Sequence, residues 1–123
     1  PGSVTRVVLA SGKVSYDALA ARDEIGAEAA VARVEQLYPW PFEQVATVLA
    51  RYPNAHELVW LQEEPENMGA WNSVKGRLYG AHGDTHQIHR VSRAESGSPA
   101  TGSHAVHQQE QAAILTAAFA PFG

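Results

Sequence analysis

Two rhythms of apolar residues alternate along this chain. Short runs dense in Val, Leu, Ile and Ala give way to stretches where apolar positions recur every three or four residues, which is the change of period from strand to helix. Val4–Ala10 (VTRVVLA) is nearly continuous in β-branched and apolar side chains and is closed by Ser11-Gly12, as a buried strand of a parallel sheet would be. Lys13–Ile25 then sets Tyr16, Leu19 and Ala20 on one helical face and stops at Gly26, a residue suited to a left-handed C-terminal cap. Ala29–Gln36 is predicted as a second strand and Leu37–Pro41 as a turn whose second proline is placed to open a helix. That helix, Phe42–Tyr52, turns Phe42, Val45, Val48, Leu49 and Tyr52 inward.

A third strand, Glu57–Gln62 (ELVWLQ), runs into the acidic stretch Glu63-Glu64-Pro65. Met68–Tyr79 is predicted helical with Met68, Trp71, Val74 and Leu78 inward, Gly80–Gln87 a loop, and Ile88–Arg93 a fourth strand. A Ser/Gly/Pro loop, Ala94–Ser103, leads to a last helix from His104 to Phe119. Four strand-to-helix alternations predict an α/β fold, a mostly parallel sheet with helices on both faces. Sheets of this kind gather functional groups at the carboxyl ends of their strands, here Ser11–Lys13, Gln36–Tyr38, Gln62–Asn67 and Arg93–Ser98.

Composition narrows the picture. With 123 residues, 45% hydrophobic and 18% charged, the chain has the size and make-up of one globular domain. A net charge of −4 with no dense Lys/Arg run argues against a nucleic-acid or anionic-membrane partner. No apolar run approaches the roughly 20 residues that span a bilayer. The lack of cysteine removes a disulfide framework, a thiolate zinc site and a cysteine nucleophile, and fits a reducing cytoplasm. Pro1-Gly2-Ser3 reads as a cloning or processing remnant ahead of a single domain at 4–119, and Ala120–Gly123 as a frayed tail.

Three stretches carry candidate chemistry. Ser11-Gly12-Lys13, between a strand and a helix, offers backbone N–H groups and an ammonium to a phosphate or carboxylate; the bland alternative is a tight turn with a solvated lysine. Glu63, Glu64 and Glu66 are placed either for acid/base work or, more simply, as a solvated loop favouring the next helix's amino end. Trp71, beside small residues at a helix start, reads either as an interface anchor or as core. The histidines 82, 86 and 89 resemble a metal nest, yet they straddle a glycine loop and a strand start, so no regular element fixes their spacing. No Gly-x-Ser-x-Gly elbow and no Gly-x-Gly-x-x-Gly after the first strand is present. The residues alone describe a small α/β domain without a complete catalytic set.

Several motifs in a fixed order go further. Arg6-Val-Val-Leu-Ala-Ser-Gly-Lys13 with Tyr16-Asp17, Val31-Ala-Arg-Val-Glu-Gln-Leu-Tyr-Pro39, Trp60-Leu-Gln-Glu-Glu-Pro65 with Asn67-Met-Gly-Ala-Trp71, and Ser98-Pro-Ala-Thr-Gly-Ser103 with His107 and Glu110-Gln111 follow one another. Together they resemble the C-terminal end of the decarboxylating (first) component of 2-oxoglutarate dehydrogenases. That resemblance implies a three-layer α/β/α sandwich like the transketolase C-terminal domain, with a mixed sheet and one antiparallel edge strand. It implies a parent enzyme that decarboxylates 2-oxoglutarate on thiamine diphosphate and Mg²⁺, both held in other domains, and passes a succinyl group to the lipoyl arm of an acyltransferase component. The C-terminal domain is then non-catalytic, bracing the dimer and carrying regulation.

Actinobacterial members respond to acetyl-CoA and others to AMP. The resemblance thus points to Ser11, Lys13 and Gln62 as effector-binding residues, with Arg90 and Arg93 as weaker candidates, and to Glu63, Glu64, Asn67 and Trp71 as interface residues. A free-standing acyl-CoA or nucleotide-binding module is the alternative. The loop Lys75–Gln87 matches no pattern of the family.

Overall fold

The computed structural model describes residues 2–93 and 104–122, and the side chains of 104–106 are not described. Eight elements follow one another: β1 Arg6–Ala10, α1 Val14–Ile25, β2 Ala29–Arg33, α2 Phe42–Ala50, β3 Glu57–Pro65, α3 Trp71–His82, β4 Gln87–Arg93 and α4 His104–Phe119. The predicted loop Ala94–Ser103, with the Ser98–Ser103 motif, falls outside the described residues.

The four strands form one sheet in the order β2-β1-β3-β4, and every described pairing is parallel. The antiparallel edge strand implied by the resemblance is therefore not among the described residues. Because side chains alternate across a strand, each central strand feeds two cores. Val7, Leu9, Leu58 and Trp60 meet α2 and α3 through Val45, Leu49, Trp71, Val74 and Leu78. Val8, Ala10, Val59 and Leu61 meet α1 and α4 through Val14, Ala18, Ile114 and Ala118. Both faces are covered, which is why β1 and β3 read as continuous apolar runs and not as alternating ones. Each fully buried Val or Leu in these strands contributes about 1.5–3 kcal/mol of transfer free energy.

Element boundaries departed from the sequence reading for local reasons. β2 was predicted to reach Gln36 but stops at Arg33; its neighbour β1 ends at Ala10, and only Val34 N–H finds one more carbonyl there, at 2.8 Å. β3 extends past Gln62 because a register irregularity between Leu61 and Pro65 lets Pro65 pair with Arg93. α3 begins three residues later than predicted and runs through Gly80 to His82. Met68 precedes it and is 58% exposed.

The buried face of α1 is Val14, Ser15 and Ala18, not Tyr16, Leu19 and Ala20. Ala18 lets the helix approach the sheet and α4 closely, while Tyr16 turns outward to Arg33, whose guanidinium lies 5.0 Å from the ring centroid. Gly26 does cap α1: its φ is 74° and its N–H donates to the Arg22 carbonyl at 2.9 Å.

Ala120 and Phe122, beyond the end of α4, contact β1 and β4. Arg6, buried at the start of β1, donates through Nη1 to the carbonyls of Ala118 and Ala120 at 2.8 Å each and pairs with Glu57 at 3.0 Å. Its guanidinium covers the Phe122 ring at 4.3 Å, and His89 stacks on that same ring at 3.9 Å. Arg6 thus satisfies a carbonyl that α4 leaves unpaired at its end and places a cation where the helix dipole favours one.

Candidate functional site

In a sheet ordered β2-β1-β3-β4, the chain leaves β1 toward one edge and returns to β3 to build toward the other. The crevice beyond the carboxyl ends of β1 and β3 is the topological switch point, where α1 and α3 lie on opposite faces and leave a gap. A cleft of about 480 Å³ opens there, lined by Ser11, Gly12, Lys13, Val14, Leu37, Trp60, Gln62, Glu63, Glu64, Gly69, Ala70 and Ser73.

Its two rims are helix starts. Val14 begins α1 directly after Lys13, and Trp71 begins α3 directly after Ala70. No side chain caps the first N–H groups of α1, so its amino end presents partial positive charge near the cleft, whereas at α3 the first N–H, that of Trp71, is taken by the Gln62 side chain. Ser15 folds back locally, its Oγ donating to the Gly12 carbonyl at 2.6 Å, which fixes the turn carrying Ser11 and Lys13. Lys13 itself is exposed.

The opposite wall is organised by Gln62, which is buried. Its Oε1 accepts from the Trp60 indole Nε1 at 3.0 Å and from the Trp71 backbone N–H at 3.0 Å. Its Nε2 donates to the carbonyls of Pro65 and Met68 at 2.8 Å each, and to Glu64 at 3.2 Å. An amide has two donors and two acceptor sites, and all are engaged within the chain. Gln62 therefore lines the cleft as the brace of the loop 63–70 and has no free valence for a ligand. Gly69 closes that loop with φ of 70°, and an added Cβ would lie 3.0 Å from Glu64 Oε1.

The cleft brings together Ser11, Lys13 and Gln62 among the effector candidates, with Glu63 and Glu64 from the interface set. It does not include Arg90 and Arg93. They occupy β4, and each is paired: Arg90 with Glu66 at 2.5 Å, Arg93 with Glu110 at 2.6 Å. Trp71, of the interface set, is 6% exposed and packed among core residues with its ring centroid 6.4 Å from that of Tyr79, its backbone N–H held by Gln62. Asn67 and Met68 stay exposed on the loop beside it.

A polar chain ties the cleft to α4. Gln111 accepts from Arg93 Nη2 at 2.7 Å and donates to Glu63 at 3.0 Å and Asp17 at 3.3 Å, so β4, α4, β3 and α1 share one side chain. The sequence places Leu37 in the strand end Gln36–Tyr38 but does not assign Ser73, Gly69 or Gln111 to this region. Gly69 carries a signal in the small-residue run before Trp71; Ser73 carries none.

Among the described residues, no three His, Cys, Asp or Glu side chains converge as a metal-ligating group. Also among the described residues, no helix is long and apolar enough to cross a membrane.

Comparison with known proteins places this geometry in context. A family model described as 2-oxoglutarate dehydrogenase C-terminal matches residues 1–119. The 2-oxoglutarate dehydrogenase E1 component of Cupriavidus necator is 47% identical over 118 residues, covering 95% of this chain and 12% of its own length. That of Coxiella burnetii is 40% identical over 121 residues, covering 96% of this chain and 13% of its own. The chain thus spans only 12% to 13% of the length of these curated relatives. Among solved structures, a split gene transketolase described as an inactive beta4 tetramer aligns with a TM-score of 0.64 at 18% identity, covering 97% of this chain and 40% of that one. At that identity the likeness speaks for the fold alone.

Proposed function

The chain belongs to the 2-oxoglutarate dehydrogenase C-terminal family, and from that premise we propose that it is the non-catalytic, structural and regulatory C-terminal domain of a thiamine diphosphate-dependent 2-oxoglutarate dehydrogenase or decarboxylase. The observation that carries this reading is the match of nearly the whole chain to one end-domain family in relatives of which it spans 12% to 13%.

On this reading the parent works in the cytoplasm, in the tricarboxylic acid cycle. Thiamine diphosphate and Mg²⁺ supply the decarboxylation chemistry from the preceding domains. This domain completes the fold, braces the dimer mate and leaves contact with the acyltransferase component to the assembled enzyme.

The regulatory half of the reading rests on the switch-point cleft. Lys13, Ser11 and the amino end of α1 favour an anionic group on one side, whereas Glu63 and Glu64 disfavour one on the other. Acetyl-CoA or AMP would seat a phosphate at Lys13 and lay less charged parts toward Leu37 and Ala70. Arg90 and Arg93 would join only by giving up their carboxylate partners, which makes Lys13 the principal cation of the site. Because every wall of the cleft comes from this one chain, a free-standing acyl-CoA or nucleotide-binding module is the second reading.

A segment exchange separates the two. This chain replaces the matching part of the Cupriavidus necator relative, and 2-oxoglutarate decarboxylation is measured with and without acetyl-CoA. An assembled, active chimera whose acetyl-CoA response is lost in Lys13→Ala supports the domain reading. An inactive, unassembled chimera, with ligand still bound by the chain alone, overturns it in favour of the module.

A further inference from the structure

Two of the three histidines that resemble a metal nest, His82 and His86, converge with a third, His56, from another part of the chain. We propose that His82 and His86, clustered beside His56, form a proton-sensitive latch, which holds the turn between α3 and β4 against the connection entering β3 when the His82 and His86 rings are neutral and releases it when they are protonated.

The three rings border a cleft of about 410 Å³ at the amino-terminal end of the sheet, away from the switch point. His82 ends α3, and the His82 and His86 ring centroids lie 6.1 Å apart, edge to face. The turn between them is wound on the His82 carbonyl, which accepts the N–H groups of Thr85 at 3.1 Å and His86 at 2.9 Å. His86 Nδ1 lies 2.8 Å from Thr85 Oγ1. The turn then closes onto the neighbouring strand: the His56 carbonyl accepts the N–H of Gln87, first residue of β4, at 2.7 Å. The same Gln87 opens the β3–β4 ladder opposite Glu57.

Neutral rings suit this arrangement and charged ones do not. His82 Nε2 is buried with no hydrogen-bond partner among the described residues, so a proton added there has no acceptor. Burial, and next the neighbouring His86, push the His82 imidazole below its ordinary range; burial, and next His56, do the same for His86. The groups facing the rings offer no compensation. α2 contributes only aliphatic side chains, its following turn the Tyr52 phenol, and the α3–β4 turn the Thr85 hydroxyl; no carboxylate lines the cleft. Asp84 in the turn is exposed and outside the lining, and Glu57 is held by Arg6. Acidification thus adds like charges to a cluster that has no counter-ion.

Amide hydrogen exchange of the full chain, compared between pH 7.5 and 5.5 as protection factors, tests this. Protection of His86 and Gln87 is expected to fall at least tenfold at the lower pH, while that of Trp71, held by Gln62, stays within twofold. The double variant His82→Gln, His86→Gln is expected to lose the pH response at Gln87. Unchanged protection of His86 and Gln87 in the native chain overturns the latch whether or not the variant folds, and so does an equal fall at Trp71.

Discussion

The side-chain carbonyl of Gln62 accepts the backbone N–H of Trp71 at 3.0 Å, and through this bond the end of β3 sets where α3 begins. The same amide gathers three carbonyls of the intervening loop, so one buried side chain shapes a wall of the switch-point cleft. Gln62→Ala would strand two donors and leave those carbonyls to water or to nothing. Unsatisfied buried groups cost about 1–3 kcal/mol each, so a loss of about 3 kcal/mol is expected in urea unfolding at constant m-value. A loss below about 0.5 kcal/mol, the usual range for surface changes, would mean the amide does not organise the loop.

Gly69 is under a separate constraint. Its φ of 70° and the nearness of Glu64 both oppose a side chain. Gly69→Ala is expected to cost about 1–2 kcal/mol, the penalty of a left-handed conformation in an L-residue. Gly76→Ala, in open helix surroundings, is expected to stabilise by up to about 1 kcal/mol. Thermal unfolding of the two variants side by side checks the opposite signs.

Arg6 makes a third case, since its guanidinium is shared among Glu57, two carbonyls and the Phe122 ring. Arg6→Met keeps the stem but leaves a partly buried carboxylate and the end of α4 unpaired. A destabilisation of about 3 kcal/mol is expected, as when one partner of a buried pair is removed. Restoration of stability by Glu57→Gln in the same chain would show how much of that cost is the stranded charge.

The histidines predict the pH dependence of global stability. The pKa values of His82 and His86 are lowered in the folded chain from the ordinary value of 6.5. Between the folded values and 6.5 the unfolded chain binds more protons, so stability is fully present above 6.5 and is lost as pH falls below it. Urea midpoints measured from pH 7.5 to 5 should decline, and the decline should be shallower in the double variant His82→Gln, His86→Gln. Equal slopes would contradict the sign assigned here.

How much of this was legible beforehand depends on where the information resides. β1, β3 and their two cores were readable because both strand faces are apolar and the flanking turns carry Ser, Gly and Pro. The switch-point residues Ser11, Lys13 and Gln62 followed from element order, since strand ends are where such sheets place their crevice. Trp71 was ambiguous because one side-chain bond, from Gln62, decides whether that helix start turns inward, and hydrophobic periodicity does not register a polar contact nine residues back. Arg6 was invisible for the same reason: a charged residue inside an apolar run gives no hint that its partners lie more than fifty and a hundred residues away. The convergence of His56 with His82 and His86 depends on strand register, which periodicity alone does not specify.

The central claim is that the cleft between the ends of β1 and β3 receives an anionic effector, with Lys13 as its cation. The most direct measurement is an amide chemical-shift titration of this chain with acetyl-CoA and with AMP, on native protein and on Lys13→Ala. Because Lys13 is exposed, the variant should keep its stability within about 0.5 kcal/mol. Saturable shifts centred on Ser11, Lys13 and Ala70, with affinity at least tenfold weaker in the variant, are the predicted result. No saturable shift at millimolar ligand, or equal affinity in both proteins, would contradict it.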